Sequence, residues 1–313
     1  MTASIKKILG SLRVTPGKKI DLRRDYDPGY TGNFMSKEDA EETLAAGIRL
    51  LAQLQDKLYA QNTYAVLIIF QALDAAGKDS TIKHVMSGVN PTGVQVTSFK
   101  VPSAEELDHD YLWRCCMALP RRGNIAIFNR SYYEEVLVVR IHKEFLDRQH
   151  LPPVLNDQDI WSRRFSEIKN FERYLTDNGI IILKFFLNVS EEEQKRRFFE
   201  RVEEPDKNWK FSAADIDERA FRGDYMDAYE EMFNTTSTPY APWYIIPADH
   251  KWFTRLAVVS AIHDTLDRLG LAYPKVTPQQ KEGLLAAKAK MEQDNGDTDS
   301  RKKKEKKRGG KKS

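Results

Sequence analysis

One stretch of the chain, residues 64–79, combines an apolar run with a loop of small residues and a Gly-Lys pair (YAVLIIFQALDAAGKD). The run from Ala65 to Phe70 is rich in β-branched residues, which predicts a strand buried on both faces. Gly77 and Lys78 predict a helix start, where free backbone N–H groups and the helix dipole favour an anion. The stretch therefore predicts a phosphate-binding loop between a buried strand and a helix.

This loop departs from the consensus G-x-x-x-x-G-K-[ST] at two positions. Ala72 stands in place of the first glycine, and Asp79 in place of the hydroxyl residue that binds Mg²⁺. The alternative is an ordinary strand-to-helix turn that carries a lysine. Because the flanking strand and helix agree with a phosphate loop, we expect its residues to bind phosphate: Ala75, Ala76, Gly77, Asp79 and Ser80.

Four more apolar runs follow, and segments with helical periodicity separate them. They cover residues 94–99, 124–129, 180–189 and 243–247. Apolar strands that alternate with helices predict an α/β fold with a mostly parallel five-stranded sheet and helices on both faces. Ligands of such sheets bind beyond the carboxyl ends of the strands. Polar residues follow three of the strands there, which predicts a phosphate site at this edge.

The loop also contains an acidic residue, Asp74, which would repel phosphate unless a divalent cation lies between them. Asp74 is therefore predicted to bind Mg²⁺ or to orient the phosphoryl acceptor. The alternative is an Asx-turn residue that stabilises the loop. Lys78 would reach the transferring phosphates as a mobile point charge. Asp79 is either close to the metal or a first-turn acid that complements the helix dipole.

A basic residue, Arg130, follows the third predicted strand. A half-buried arginine needs an anion or an acid beside it. We expect phosphate to be that anion, and an ion pair with Glu134 or Glu135 is the alternative.

Cations are concentrated again in residues 195–210, KRRFFERVEEPDKNWK. We expect this segment to belong to a helical lid, over about residues 195–225, that covers the phosphates and excludes water. The alternative is a solvated helix surface with ion pairs between residues four apart.

The net charge of +3 hides an uneven distribution. Residues 301–313 hold nine Lys or Arg and one Glu, so the rest of the chain is mildly acidic. We expect residues 1–35 to form a surface arm, residues 36–275 the α/β domain, and residues 276–313 a frayed helix and a disordered basic tail. The tail either contacts a polyanion or is simply solvated.

Location is also constrained by the sequence. The chain contains no apolar run of transmembrane length, no signal-peptide pattern and only two cysteines, which are adjacent at Cys115 and Cys116. These features predict a reduced, cytoplasmic protein without a membrane partner.

Six ordered blocks of the chain resemble the polyphosphate kinase 2 family, in the single-domain branch often called class III. Together they extend over about residues 15–275. The blocks are ALDAAGKDS, VTSFKVPSAEELDHDYLWR, GNIAIFNRSYYEEVLVVRIH, LKFFLNVSEEEQKRRF, PDKNWKFS and APWYIIPADHKW.

The resemblance implies a three-layer α/β/α P-loop kinase fold with a helical lid. It implies phosphoryl transfer from inorganic polyphosphate to AMP or ADP, giving ADP or ATP, with Mg²⁺ or alternatively Mn²⁺. By motif matching, Asp74, Lys78 and Arg130 would be catalytic, and Asp74 would bind the metal. The other matched positions would bind phosphate or nucleotide: Asp79, Asn129, Ser131, Glu135, Arg196, Arg197, Lys207 and Lys210. We also expect a homo-oligomer.

Two features depart from the family pattern. Residues 220–223 (AFRG) stand where an aromatic-rich stretch ending in Trp is expected, and the basic tail lies outside the family core.

Two other functions stay open. Asn129-Arg130-Ser131 is similar to the Asp-Arg-Tyr/Ser motif of thymidylate-kinase-like enzymes, which suggests an ATP-dependent nucleoside monophosphate kinase. The tail suggests a non-catalytic polyanion-binding protein.

Overall fold

A computed structural model describes residues 3–32, 34, 37–210 and 212–292 of the chain. Its centre is an all-parallel sheet with the strand order β2-β3-β1-β4-β5. The strands are β1 (Ala65–Gln71), β2 (Val94–Ser98), β3 (Ile125–Asn129), β4 (Ile180–Asn188) and β5 (Trp243–Pro247). Both the five strands and their parallel arrangement confirm the α/β fold predicted from the sequence.

Helices connect the strands and cover both faces of the sheet. They are α1 (Ala3–Leu12), α2 (Leu22–Asp25), α3 (Lys37–Gln61), α4 (Lys78–Val85), α5 (Ala104–Leu107), α6 (Trp113–Cys116), α7 (Val138–Ile141), α8 (Lys143–Asp147), α9 (Ile160–Asp177), α10 (Glu191–Glu203), α11 (Ala213–Glu218), α12 (Arg222–Thr236) and α13 (Lys251–Asp267). Short 3₁₀ turns lie at Pro91–Gly93, Tyr132–Val136, Pro153–Leu155, Asn208–Lys210 and Arg219–Phe221.

The strands are apolar on both faces because each face packs against a different set of helices. Val66 and Ile68 of β1 belong to a core that includes residues of α1, α3 and α13. Leu67 and Ile69 point the other way, into a core with residues of α9 and α12. This alternation follows the two-residue period of a strand and produces three layers.

The N-terminal segment differs from the surface arm that its turns and lysines led us to expect. In α1, Ile5, Ile8, Leu9 and Leu12 are buried against the core. Their spacing of three and four residues puts them on one face of the helix. The backbone N–H of Val14 then donates to the carbonyl of Trp243 in β5, over 2.9 Å. The segment is thus part of the unit that contains the sheet.

Two of the segments that connect strands are divided into short helices. Residues 102–119 contain α5 and α6, and a 3₁₀ turn separates α11 from α12. In both places polar or turn-forming residues interrupt the apolar periodicity.

The chain divides into two compact units, Met1–Ala272 and Tyr273–Ser313. In the second unit, residues 278–292 are helical and exposed, and the basic tail lies outside the described residues. Over the part of the chain that the structure describes, no helix combines the length and the apolar character needed to cross a bilayer.

We predict that Leu12→Ala destabilises the protein by about 2–4 kcal/mol, because Leu12 is 3% exposed and its loss leaves a cavity against the sheet. Chemical denaturation, followed by circular dichroism, measures this free energy. Lys7→Ala on the exposed side of α1 is the control and should change it little. Equal stability of the two variants would mean that α1 does not contribute to the core.

Candidate active site

The carboxyl ends of β1 and β3 lie side by side at one edge of the sheet. Phe70 and Asn129 are partners in the parallel pairing, and the backbone N–H of Arg130 donates to the carbonyl of Phe70 over 3.0 Å. The loop after β1 and the turn after β3 therefore begin at the same point. This is the convergence that the sequence predicted.

The loop after β1 contains two residues in the left-handed backbone region. Ala75 has φ +59° and Gly77 has φ +100°. Glycine adopts this conformation without steric cost, whereas alanine does so under strain, which is typical of functional loops. Gly77 is also the N-cap of α4, and it provides no side-chain cap. The first N–H groups of α4 are thus left for a ligand.

A large cavity of about 650 Å³ opens beside this loop, and we call it the phosphate cavity. Every residue from Asp74 to Ser80 lines it. Arg130 and Asn129 line it from the neighbouring strand. Lys78 and Arg130 therefore border one open space, as a shared phosphate site requires.

The amine of Lys78 has a perturbed environment. Its Nζ donates to the carbonyl of Ala72 over 3.0 Å. Burial of the amine, together with the nearby charge of Arg130, lowers the pKa of Lys78 to about 8, against the opposing effect of Asp74. An anion in the cavity would favour the charged ammonium and raise this pKa again.

Arg130 joins the two sides of the site. Its Nη2 donates to Oδ1 of Asp74 over 2.9 Å, and its Nη1 donates to Oε2 of Glu134 over 3.3 Å. The negative charge of Glu134 raises the pKa of Arg130, so the guanidinium is always charged. The side chain is still 38% exposed. Arg130 thus pairs with the predicted acid Glu134 and is still accessible to a ligand.

Other predicted residues support this arrangement by hydrogen bonds. The Asn129 amide donates to Oδ1 of Asp79 over 2.7 Å, which links β3 to the first turn of α4. The Ser80 hydroxyl donates to the carbonyl of Gly77 over 3.2 Å. Ser131 is fully buried, and its hydroxyl accepts from Gln71 and from the backbone N–H of Tyr133.

Arg197 lies at the site but uses its donors on protein groups. Its Nε donates to Glu193, its Nη1 to the carbonyls of Ala75 and Ala76, and its Nη2 to those of Ala248 and Asp249. A guanidinium has five N–H donors, so all of them are used. The side chain is 4% exposed. Arg197 therefore stabilises the phosphate loop. It also lines the phosphate cavity, and the phosphate contact that the motif match implied stays a prediction.

Four more predicted positions divide between the cavity and other surroundings. Lys207 lines the phosphate cavity and pairs with Glu204 over 2.6 Å. Arg196 is more than half exposed and pairs with Glu193 and Glu200. Glu135 is buried, and Arg164 donates to it over 3.0 Å. The structure thus does not place Arg196 or Glu135 beside Lys78 in the phosphate cavity. The side chain of Lys210 lies outside the described part.

Several residues that line the phosphate cavity were not among the predicted site residues, and charged ones among them are Arg201, Asp215 and Lys251. Lys251 comes two residues after Asp249, where the sequence already placed polar residues beyond the fifth strand, so a signal existed. Asp215 belongs to α11 and pairs with Arg201 over 3.1 Å. Burial and the nearby charge of Asp74 raise the pKa of Asp215. No local motif in the sequence marks it.

A second space, which we call the apolar pocket, adjoins Arg130. Its walls include Phe99, Val101, Tyr111, Val138 and Phe145. Gln149 and charged side chains of both signs, among them Lys100, Arg148 and the predicted site residue Glu135, supply polar groups among these apolar ones. Arg130 lines both this pocket and the phosphate cavity. A pocket of this composition suits a flat organic ring better than a polyanion.

The described side chains of the site offer few ligands to a divalent cation. Among the described residues, no group of three or more His, Cys, Asp or Glu side chains could hold a metal ion. Mg²⁺ is commonly bound by one or two carboxylates together with substrate phosphates. The ion pair with Arg130 uses Oδ1 of Asp74, so Oδ2 can contact the cation. These residues therefore fit Mg²⁺ that is shared with phosphate.

We predict that the amine of Lys78 titrates near pH 8 in the free protein. The value should rise when inorganic triphosphate binds, because the anion favours the ammonium form. NMR of ¹³C-labelled lysines measures the titration, and the Lys78→Met variant identifies the resonance. A free-protein pKa at the ordinary value of 10.5 would contradict the burial of this amine.

Comparison with known proteins agrees with the predicted family and fold. The sequence profile of the Polyphosphate kinase 2 family matches residues 34–271. An ADP-polyphosphate phosphotransferase of Rhodopseudomonas palustris is 49% identical over 89% of this chain and 96% of its own length. An AMP/ADP-polyphosphate phosphotransferase of Meiothermus ruber is 45% identical over 84% of this chain and 94% of its own length.

A solved structure supports the same conclusion. The crystal structure of Polyphosphate Kinase 2 from Arthrobacter aurescens TC1 superposes with a TM-score of 0.80 at 39% identity, and it covers 91% of this chain and 97% of its own. The predicted P-loop kinase fold and the predicted family are both confirmed. The chain belongs to the polyphosphate kinase 2 family and is a phosphotransferase of that type.

Proposed function

We propose that this enzyme transfers the terminal phosphoryl group of inorganic polyphosphate to AMP or ADP, giving ADP or ATP. The position of Arg130 supports this most directly, because it borders both the phosphate cavity and the apolar pocket. A polyphosphate chain in the cavity and a nucleoside in the pocket would meet at this guanidinium. The names of the relatives from Rhodopseudomonas palustris and Meiothermus ruber support both acceptors.

The proposed mechanism requires no covalent intermediate with the enzyme. A terminal phosphate oxygen of the nucleotide attacks the terminal phosphorus of polyphosphate in line. Such oxygens are already ionised near neutral pH, so no strong general base is needed. The P–O bond that joins the attacked phosphorus to the next phosphate breaks, and the polyphosphate leaves one phosphate shorter. Lys78, Arg130 and the N–H groups of α4 offset the charge of the transferring group and orient it. Lys78 keeps its proton at pH 7 because its pKa lies above that value.

Mg²⁺ is the proposed cofactor, with Mn²⁺ as the alternative ion. Asp74 would hold it from the protein side, and phosphate oxygens would complete its coordination. When bound, the ion supplies additional positive charge between the phosphates and the carboxylate. Arg130 keeps Asp74 in place through their 2.9 Å ion pair.

Several further proposals concern the rest of the chain. We expect residues 195–225 to act as a lid, since Arg201, Lys207 and Asp215 from this segment line the phosphate cavity. The sequence alone suggests a cytoplasmic homo-oligomer and a basic tail that either contacts a polyanion or is solvated. Activity that survives deletion of residues 295–313 would exclude an essential catalytic role for the tail.

We predict that the protein forms ATP from AMP, polyphosphate and Mg²⁺, as measured by luciferase luminescence. Chelation by EDTA should abolish the reaction, and excess Mg²⁺ should restore it. The control supplies AMP with ATP but without polyphosphate, and ADP is measured. Product only in the control would favour an ATP-dependent nucleoside monophosphate kinase instead.

We predict that Lys78→Ala and Asp74→Asn each lower turnover at least about a hundredfold, because each removes an electrostatic contact made in the transition state. Steady-state kinetics measure the effect, and circular dichroism confirms the fold. Lys83→Ala, an exposed lysine of the same helix, is the control and should retain full turnover. Near-normal turnover of either site variant would remove that residue from the proposed mechanism.

A further inference from the structure

A fully buried ion pair lies in the core behind the active site, and the proposed mechanism does not use it. Lys184 of β4 and Glu172 of α9 are both 0% exposed, and their Nζ and Oε2 atoms are 2.7 Å apart. Lys184 also donates to the hydroxyl of Tyr133 and to the carbonyl of Thr236, each over 2.9 Å. All three donors of the ammonium are thus satisfied.

Stability alone does not explain such a pair. Removing two charges from water is costly, and apolar residues of similar volume often replace a buried ion pair without loss. The Nζ of Lys184 lies 5.2 Å from the ring centre of Trp243, which belongs to the apolar core on this face of the sheet. An apolar pair would therefore suit this core. The charged groups must contribute something besides packing, and their remaining hydrogen bonds indicate what it is.

These remaining hydrogen bonds lead to the segment that carries Arg130. Oε1 of Glu172 accepts from the hydroxyls of Tyr132 and Tyr133, over 2.9 and 2.8 Å. These tyrosines follow Arg130 by two and three residues. The backbone N–H of Tyr133 in turn donates to the hydroxyl of Ser131 over 3.1 Å. Glu172 thus holds the chain on the C-terminal side of Arg130, whereas β3 lies on its N-terminal side.

Arg130 needs fixing on both sides because its backbone is strained. Its φ is +64°, in the left-handed region that non-glycine residues rarely adopt. Such a conformation persists only where the surroundings impose it. On one side, the N–H of Arg130 bonds the carbonyl of Phe70. On the other side, Gln71 donates to the Ser131 hydroxyl, and the two tyrosine hydroxyls donate to a buried carboxylate, which makes strong hydrogen bonds.

We propose that Glu172, held by Lys184, is a positioning residue that keeps the Arg130 guanidinium in its catalytic place through the hydroxyls of Tyr132 and Tyr133. This inference rests on the proposed function of Arg130 in phosphoryl transfer. It assigns a role in the reaction to residues that do not touch a substrate. The hydrogen bonds that join Lys184, Glu172, Tyr132 and Tyr133 form one network. This network should matter for turnover only as long as Arg130 is present.

A double-mutant cycle between Tyr133 and Arg130 tests this. Tyr133→Phe removes one hydroxyl without creating a cavity, and we expect it to lower kcat about tenfold. In the Arg130→Ala background, the same change should alter kcat less than twofold. Turnover is measured from ATP luminescence at a temperature well below the unfolding transition of all four proteins.

Tyr240→Phe is the matched control. It also removes a hydroxyl that bonds to α9, at the carbonyl of Lys169 over 3.2 Å, but it lies outside the network. Its kcat should stay within twofold of the unaltered enzyme. If Tyr133→Phe does not fold, Tyr132→Phe replaces it, because that change leaves all donors of Lys184 satisfied.

Three outcomes are distinguishable. A tenfold effect that disappears without Arg130 supports the proposal. An unchanged kcat in Tyr133→Phe, or an equal loss in both backgrounds, overturns it and leaves the network a purely structural role. An unaltered enzyme that makes no ATP from polyphosphate contradicts the proposed function instead, whatever the variants do.

Discussion

The pairing of β1 with β3 brings two chemically different segments to one point at the edge of the sheet. Phe70 and Asn129 are partners in that pairing, so the phosphate loop and the Arg130 turn both begin there. Because parallel strands present their carboxyl ends on the same side, the helix start at Lys78 and the guanidinium of Arg130 face one cavity. The strand order β2-β3-β1-β4-β5 is therefore what makes a shared phosphate site available at all.

Charge in this site is balanced before any substrate binds. Asp74 and Glu134 hold Arg130 by direct ion pairs, and the amide of Asn129 holds Asp79. The positive charge of Lys78 is balanced less well by its surroundings, as its lowered pKa indicates. An incoming polyanion would therefore gain most of its electrostatic attraction from this amine. The two cations thus have different roles. Arg130 stays permanently charged and fixed, whereas Lys78 adapts to the charge beside it.

The strands could be predicted within one or two residues, because burial on both faces leaves a continuous apolar run in the sequence. The meeting of Lys78 and Arg130 could also be predicted, since parallel topology imposes it. The different roles of two adjacent arginines could not be predicted. Arg196 and Arg197 are adjacent in a basic run, yet one is exposed and the other bonds four backbone carbonyls. Such a difference depends on loops distant in sequence, as does the position of Asp215.

The five hydrogen bonds of Arg197 have a consequence for how substrates are selected. By joining the carbonyls of Ala75 and Ala76 to those of Ala248 and Asp249, this side chain cross-links the loops that follow β1 and β5. The cradle for the phosphoryl group is thus rigid in advance, and a ligand need not spend binding energy on ordering it. In the proposed reaction, this cradle would select a substrate by the fit of its phosphoryl group.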